Sequence, residues 1–519
     1  SCVRPTVGPY FGGYAGWPPD WVSQGLYHIH LAKRGFGIPD KVIVEKALIK
    51  HRNFISKAAV ELPEEILEAA ETFSRKWAIH FSRKGILNKV HLTTGFGACT
   101  EVSREKGGRQ TFCKELLKDF LKRDDDRFFL KPCQIAYNAF GEVSLSSDAL
   151  QLYGEESNQG FSMPIHALYN WSGDRNQLIL RDLLFNHCLL NGEIEIAPTE
   201  LRSETLCFGA SVFLLTYWSS DPNLDPASVC WSRQSYRATA VEDRGCKARV
   251  ITVGSGARGT LGHLFRTYCY AIFENDPVSI LSESDGVIAG HVQSIFKTVS
   301  ERHKEFGENW SLLSLDLTSA TDTFERNLCQ RLSSGVIESA RIFPSLYRQL
   351  HILGQGIAEE SVVLYPDGIE VVQQRGILMG TAESWGILNL YESFWWHLAR
   401  AIMFENPDFD DPESLLLSSP ELRRGLSRIN KKDFSFNDPF VVKRCGDDQV
   451  SYAPDLVHLT YLKLLRLSGA IPSIGTNSLS RRVCVFTESI SSIKDDGRMD
   501  WIDILRIIGL VDAKGLTRL

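Results

Sequence analysis

A chain of 519 residues, 43% of them hydrophobic, can bury a large core and is long enough for several structural units. Its net charge of −6 is not that of a protein that coats nucleic acid, so any surface for polyanions is confined to an internal channel beneath an acidic exterior. No apolar run is long enough to cross a bilayer as a helix, and the 12 cysteines contain no Cys-x-x-Cys pair, which reads as reduced thiols of a cytosolic protein.

Residues 1–60 read as an irregular N-terminal arm with clusters such as Pro9-Tyr10-Phe11-Gly12-Gly13 and Trp17-Pro18-Pro19. A helix is predicted from Pro63, with Glu64, Glu65 and Glu68 near its start and Arg83 and Lys84 near its end, a charge order that suits the helix dipole. A second is predicted over 112–121. The charge run that follows it, 122–127, reads as a solvated helix end rather than a metal site. The apolar segments 178–190 and 208–218 read as helical core.

Residues 231–270 carry seven Lys or Arg against two acids. Within them, Lys247 and Arg249 point to one face of a predicted strand while Ala248 and Val250 take the other. Such a face suits phosphate groups, and equally a solvated basic edge strand. Arg258 and Arg266 are lesser candidates of the same kind.

The run 310–315 reads as a buried strand ending at Asp316, followed by a helix with Phe324, Leu328, Leu332 and Val336 at fourfold spacing. Asp322-x-x-Glu325 has the form of a capping box. A glycine-bearing loop, Gly376 to Gly380, leads into a helix from Ser384 to Phe404. Its glycines allow the loop to move and its backbone to approach a ligand closely, Ser384 is a natural N-cap, and Asn389 is an amide inside an apolar stretch that needs partners. Phe394, Trp395 and Trp396 read as core or channel wall. Residues 405–421, with six acids and no Lys or Arg, read as an exposed insertion. Gly446-Asp447 joins two short β-rich runs as a hairpin with glycine first in its turn, lifting Asp447 and Asp448 to the tip. An amphipathic helix over 456–467, ended by Gly469, follows.

Three blocks, Asp316 to Asp322, Gly376-Ile377-Leu378-Met379-Gly380 leading to Ser384-Trp385 and Asn389, and Cys445-Gly446-Asp447-Asp448, resemble in this order motifs A, B and C of viral RNA-dependent RNA polymerases. Their wording is similar to the narnavirus and botourmiavirus group, and more distantly to mitovirus and RNA-phage replicases. Gly245-Cys246-Lys247-Ala248-Arg249-Val250 resembles motif F of the same enzymes, 456–467 is placed like motif D, and 483–488 resembles the segment that closes the palm.

The resemblance implies an α+β right-hand fold of fingers, palm and thumb, with an antiparallel palm sheet flanked by helices. The implied units are an N-terminal arm over 1–60, fingers mainly over 61–309 and a palm over 310–490, with finger or insertion segments near 337–374 and 405–438. Residues 491–519 would be a short or truncated thumb, or one completed by another viral or host chain. The implied function is RNA-directed nucleotidyl transfer, copying RNA from NTPs in the host cytoplasm or, alternatively, the mitochondrion. Two Mg²⁺ ions, or Mn²⁺, would be held by Asp316, Asp447 and Asp448, with the carbonyl of Leu317 as a further ligand. Asp322, Ser384 and Asn389 would read the ribose, Lys247 and Arg249 would bind nucleotide or template backbone, and the loop of Gly376 and Gly380 would approach a template base. Lys463, Arg481 and Arg482 are candidates for protonating pyrophosphate. A reverse transcriptase and a non-catalytic RNA-binding protein are the rival readings. Use of dNTPs would favour the first, and loss of primer extension the second.

Overall fold

A computed structural model describes residues 39–83, 97–112, 235–281 and 309–501, apart from short gaps, and a small hairpin at 135–137 and 143–145. The helices expected beyond Phe112, at 178–190 and at 208–218, the 122–127 charge run, Arg482 and the chain after Trp501 lie outside the described residues.

The expected irregular arm is corrected from Lys41 onward. Lys41–Ile55 is a helix (α1) whose N-terminus is capped by Asp40, its Oδ1 accepting from the Ile43 amide at 2.8 Å. Leu48, His51 and Ile55, three and four residues apart, form its inner stripe. Helix α2 (Glu64–Phe81) begins after Pro63 with Glu64 and Glu65 in its first turn, as its sequence predicts.

Strands β1 (Ser235–Asp243) and β2 (Lys247–Val253) pair antiparallel, with Val241 opposite Arg249. Helix α3 (Gly256–Phe273) follows. Strand β3 (Trp310–Leu315) leads into a single turn of helix, α4 (Ala320–Thr323), and then α5 (Arg326–Ser339). Strands β4 (Val362–Leu364) and β5 (Glu370–Val372) precede the long helix α6 (Ser384–Glu405), and α7 (Pro420–Asn430) packs against it. The hairpin β6 (Val441–Cys445) and β7 (Asp448–Pro454) runs into α8 (Asp455–Leu467). Strand β8 (Ser478–Ser480) and the hairpin strands β9 (Val483–Phe486), β10 (Ser489–Ile493) and β11 (Met499–Trp501) come last.

Two four-stranded sheets result. The central one is antiparallel throughout, in the order β8-β3-β7-β6. Both faces of strand β3 are covered, so even its two serines are buried, Ser311 bonded to His458 Nδ1 at 3.2 Å. Leu313 and Leu315 join the main core with Phe73, Trp77, Tyr391, Phe394 and Trp395. Leu312 joins Val450, Tyr452, Cys484 and Phe486 on the other side, where the Val485 amide donates to Ser314 Oγ at 2.8 Å. The second sheet has the order β2-β1-β4-β5, with β1 and β4 parallel and the other pairs antiparallel, so β2 is an edge strand among the described residues.

The segment 405–421 is largely exposed, but Asn406, Pro412 and Leu415 turn inward and Glu413 receives Lys463 and Arg466. Among the described residues, five cysteines are buried and in no disulfide. No helix among the described residues is long and apolar enough to cross a membrane.

Helices α2 and α5 pack closely at Gly335. A Cβ there would meet Ser74 Oγ and the carbonyl of Glu71, and would lie 2.9 Å from the Arg75 amide, two of them backbone that cannot rotate away. Gly335→Ala should therefore cost about 1–3 kcal/mol by overpacking. A denaturant midpoint equal to that of the wild type would contradict so close a helix contact.

Candidate active site

The Gly446-Asp447 turn is as the sequence predicts. Cys445 pairs with Asp448, leaving a two-residue loop in which Gly446 has φ +65°. Asp447 does not share that positive φ, the pattern of a turn that needs glycine only in first place. On the neighbouring strand, Leu315 pairs with Gln449. One residue further on each strand brings Asp316 opposite Asp448, at the same end of the sheet as the turn. Strand neighbours stand about 4.5–5.5 Å apart, so three carboxylates converge there. Burial raises the Asp447 carboxyl above its ordinary range and Asp316 raises it further, while Arg249 and Lys247 draw it back. Strand β2 thus lies within electrostatic reach of the acidic tip, although it is also the edge strand of its own sheet.

The backbone of Asp316 is pinned on both sides. Its amide donates to Asn477 Oδ1 at 2.6 Å, and its carbonyl accepts from the Ser473 amide at 2.9 Å. Leu317 is buried and bridges to Pro472. Ser319 is the one non-glycine with positive φ among the described residues, at +51°, a conformation that costs about 1–2 kcal/mol. It turns the chain sharply from the Asp316 strand end into α4.

Asp322 lies in α4 and caps nothing. Phe324 and Glu325 are extended, α5 starts at Arg326, and the Glu325 carboxylate accepts from the Val60 amide at 2.7 Å instead of closing a capping box. The box fails because the chain breaks helix geometry between the two acids, and Phe324 stacks on Tyr391 with ring centroids 3.9 Å apart. Burial pushes the Asp322 carboxyl up to about 7, opposed by Lys50 and the Thr321 hydroxyl. Its Oδ1 stands 3.7 Å from His51 Nε2.

The loop before α6 is held to the chain's own backbone, not left open for a base. The Gly376 amide donates to Phe324 O at 2.8 Å and the Ile377 amide to Thr321 O at 2.7 Å. A Cβ at Gly376, where φ is +84°, would lie 2.6 Å from Thr321 O, and one at Gly380, where φ is +110°, 2.5 Å from Thr252 O. The Thr252 amide donates to Met379 O at 2.7 Å, so the loop ties β2 to the segment after Asp316.

Ser384 is the first helical residue, not the cap. Glu383 precedes it in helical conformation, and Ser384 Oγ donates back to Thr381 O at 2.9 Å. Asn389 is fully buried, its Nδ2 donating to Trp385 O at 2.8 Å, while its Oδ1 has no hydrogen-bond partner. Among the described residues no hydrogen bond joins Asp322 to either of them. Phe394, Trp395 and Trp396 are core, as expected.

Other candidates point elsewhere. Arg258 is buried in an ion pair with Glu383, so it braces the start of α6 and is not a phosphate contact. Arg266 lies over the Tyr270 ring, its guanidinium carbon 4.9 Å from the centroid. Lys463 donates to the Glu413 carbonyl at 2.7 Å, and Arg481 stands 4.0 Å from Asp455.

Beneath the acidic tip lies a group the sequence reading did not single out. Arg444 and Glu392 form a buried ion pair at 3.2 Å, 1% and 0% exposed, and Arg444 Nη2 also donates to Gln449 Oε1 at 2.6 Å. Burial pushes the Glu392 carboxyl well up, Arg444 draws it back, and Asp447, Asp448 and Asp316 add to the rise. The signals were there: Arg444 shares a strand face with buried Val442, and Glu392 sits in the most apolar helix among the described residues. His51 and Asn477 carried no such signal.

The donors at the sheet end are all carboxylates, a hard oxygen set suited to Mg²⁺, Mn²⁺ or Ca²⁺. Among the described residues no three His, Cys, Asp or Glu side chains already close into a metal-sized group. The raised carboxyl of Asp447 beside Asp316 is nonetheless the kind of crowding that a divalent cation relieves.

An α+β protein with an antiparallel sheet that ends in Asp316 and the Asp447-Asp448 pair, beside a cationic strand, is the class that fold and site define. No protein-family profile matches the chain. It is 28% identical over 266 residues to the RNA-directed RNA polymerase of Saccharomyces 23S RNA narnavirus, covering 50% of this chain and 24% of that protein. It is 26% identical over 256 residues to the RNA-directed RNA polymerase of Saccharomyces 20S RNA narnavirus, covering 49% and 26%. About half of the chain is therefore homologous to RNA-directed RNA polymerases of the narnavirus group, and the match spans about a quarter of those relatives' length. Among solved structures, the insertion-loop deletion mutant of a human picobirnavirus RNA-dependent RNA polymerase is 11% identical over 54% of this chain and 48% of that one, with a TM-score of 0.34. The BmCPV RNA-dependent RNA polymerase at its elongation state is 12% identical over 76% and 29%, with a TM-score of 0.37. Likeness at that level does not assign a fold.

Arg444→Met should destabilise the protein by about 3–5 kcal/mol, because it leaves Glu392 buried and unpaired. Arg444→Met combined with Glu392→Met should recover most of that loss in urea melts. A double variant no more stable than the single one would show that the pair is not what the arginine serves.

Proposed function

We propose that this chain is an RNA-dependent RNA polymerase that copies an RNA template from NTPs by metal-assisted phosphoryl transfer. The single observation that carries the reading is the convergence of Asp316 with Asp447 and Asp448 at one sheet end, within electrostatic reach of Lys247 and Arg249. Homology to narnavirus RNA-directed RNA polymerases supports it.

On this reading the central sheet and its helices are the palm, over 310–490, with fingers mainly over 61–309 and thumb residues from 491. The parallel pairing of β4 with β1 supports counting 337–374 with the fingers. Asp316 and Asp447 would hold two Mg²⁺ ions, or Mn²⁺, with Asp448 and the Leu317 carbonyl in support. When bound, such ions lower the pKa of the primer 3′-hydroxyl and neutralise charge on the pyrophosphate. The protein's own part is positioning. Asn477 and Ser473 fix Asp316, the turn fixes Asp447, and Arg444 with Glu392 fixes the hairpin against α6. Lys247 and Arg249 would meet the triphosphate, and Asp322, Ser384 and Asn389 would surround the ribose.

Asp447→Asn should lower Mg²⁺-dependent primer extension by on the order of 10³-fold or more while RNA binding and melting temperature stay near wild type. Near-normal turnover would remove the basis of this reading.

Arg249→Ala should raise the KM for NTPs or weaken RNA binding, with a flatter dependence on salt. Unchanged KM, affinity and salt slope in both Lys247→Ala and Arg249→Ala would leave β2 as a solvated edge strand.

A further inference from the structure

Asp322 faces a group from the far end of the chain. His51, on the inner side of α1, is 3% exposed, and its Nδ1 shares a 2.7 Å hydrogen bond with the hydroxyl of Tyr365, also 3% exposed. Its Nε2 stands 3.7 Å from Asp322 Oδ1 and has no hydrogen-bond partner. A buried polar nitrogen is thus aimed at a nearly buried carboxylate across a gap slightly longer than a hydrogen bond, the sort of spacing that tightens when substrate arrives.

The protons can be placed. Burial lowers the imidazole pKa to about 4, so the ring is neutral at pH 7 and carries one proton. Nε2 faces the Asp322 carboxylate, which can only accept, so the proton is best placed on Nε2, and Nδ1 then accepts from the Tyr365 hydroxyl. Tyr365 is itself fixed, following β4 and lying under the Arg52 guanidinium, whose carbon is 5.7 Å from the ring centroid. The ring of His51 therefore cannot rotate without losing its one hydrogen bond.

We propose that His51 and Tyr365 are positioning residues for Asp322. By holding one carboxylate oxygen, they turn the other toward the ribose hydroxyl and so carry part of the preference for NTPs over dNTPs. This inference rests on the polymerase reading above and extends it to residues that no motif contains. A positioning partner acts through the orientation of another group, and losing one typically costs about 10–100-fold.

The test is the ratio of kcat/KM for ATP to that for dATP on a primed RNA template. It is measured for the wild type, His51→Phe, His51→Asn, His51→Gln and Tyr365→Phe, with melting temperatures alongside. The terminal amide of glutamine can place a donor where Nε2 stands, whereas asparagine reproduces only the Nδ1 side. The ratio should fall by about tenfold or more in His51→Phe and His51→Asn. It should fall by less in Tyr365→Phe, which removes a single oxygen, and should largely survive in His51→Gln. If His51 only fills space, phenylalanine, closest in shape, keeps the ratio. An unchanged ratio in the active His51→Phe and Tyr365→Phe variants overturns the inference while leaving the polymerase reading intact. Failure of the wild type to extend the primer with any nucleotide overturns that reading and this inference with it.

Discussion

The acidic end of the central sheet depends on a cation that does not reach it. Three carboxylates converge at the tip, and a fourth, Glu392, is buried directly behind them on α6. Without Arg444 that arrangement would place an unscreened negative charge in the core, where the desolvation cost per ion is several kcal/mol. Arg444 meets Glu392 on one side and Gln449 on the other, and Tyr461 donates to the same Gln449 oxygen at 3.3 Å. The hairpin, α6 and α8 are thereby keyed to one another by a single guanidinium. A register slip of the hairpin by one residue would turn Arg444 to the opposite face and leave Glu392 alone. The pair thus specifies position more than it adds stability.

A similar economy governs the loop between β5 and α6. Sequence suggested glycines that free the loop to move, whereas the structure uses them to bring two backbones together. At Gly376 the neighbour is the 321–322 backbone, and at Gly380 it is Thr252. The basic strand and the Asp316 segment are therefore fastened through a loop that touches both, and any side chain at either glycine would force them apart.

Much of this was legible in the sequence wherever local chemistry decides. The strand 310–315, the Gly446 turn, the long α6 helix and its aromatic core follow from apolar runs and turn residues, and the structure has them at the expected bounds. What was not legible depends on partners distant in the chain. Asp322 and Glu325 spell a capping box, but Phe324 finds Tyr391 and the helix starts later. Ser384 looks like a cap, but Glu383 is already helical, drawn in by buried Arg258. Residues 41–55 looked irregular beside a stretch rich in Gly and Pro, yet three inward residues suffice for a helix once β1 and β2 are there to cover. Asn477 gives no local sign that it will hold the Asp316 amide.

The order of strands in the central sheet also bears on how the chain is made. Strand β3 sits between β7 and β8, so Trp310 waits for Pro454, which is 144 residues later (454 − 310), and Ser314 for Ser478. At roughly 5–20 residues per second, ribosomes need about 7–30 s to supply the first of these partners. For that interval a hexapeptide that the fold buries on both faces lacks the strands that later flank it, long enough to pair with a neighbouring nascent chain. Synthesis of this protein therefore passes through a window in which the strand leading to Asp316 is exposed before the sheet that buries it exists.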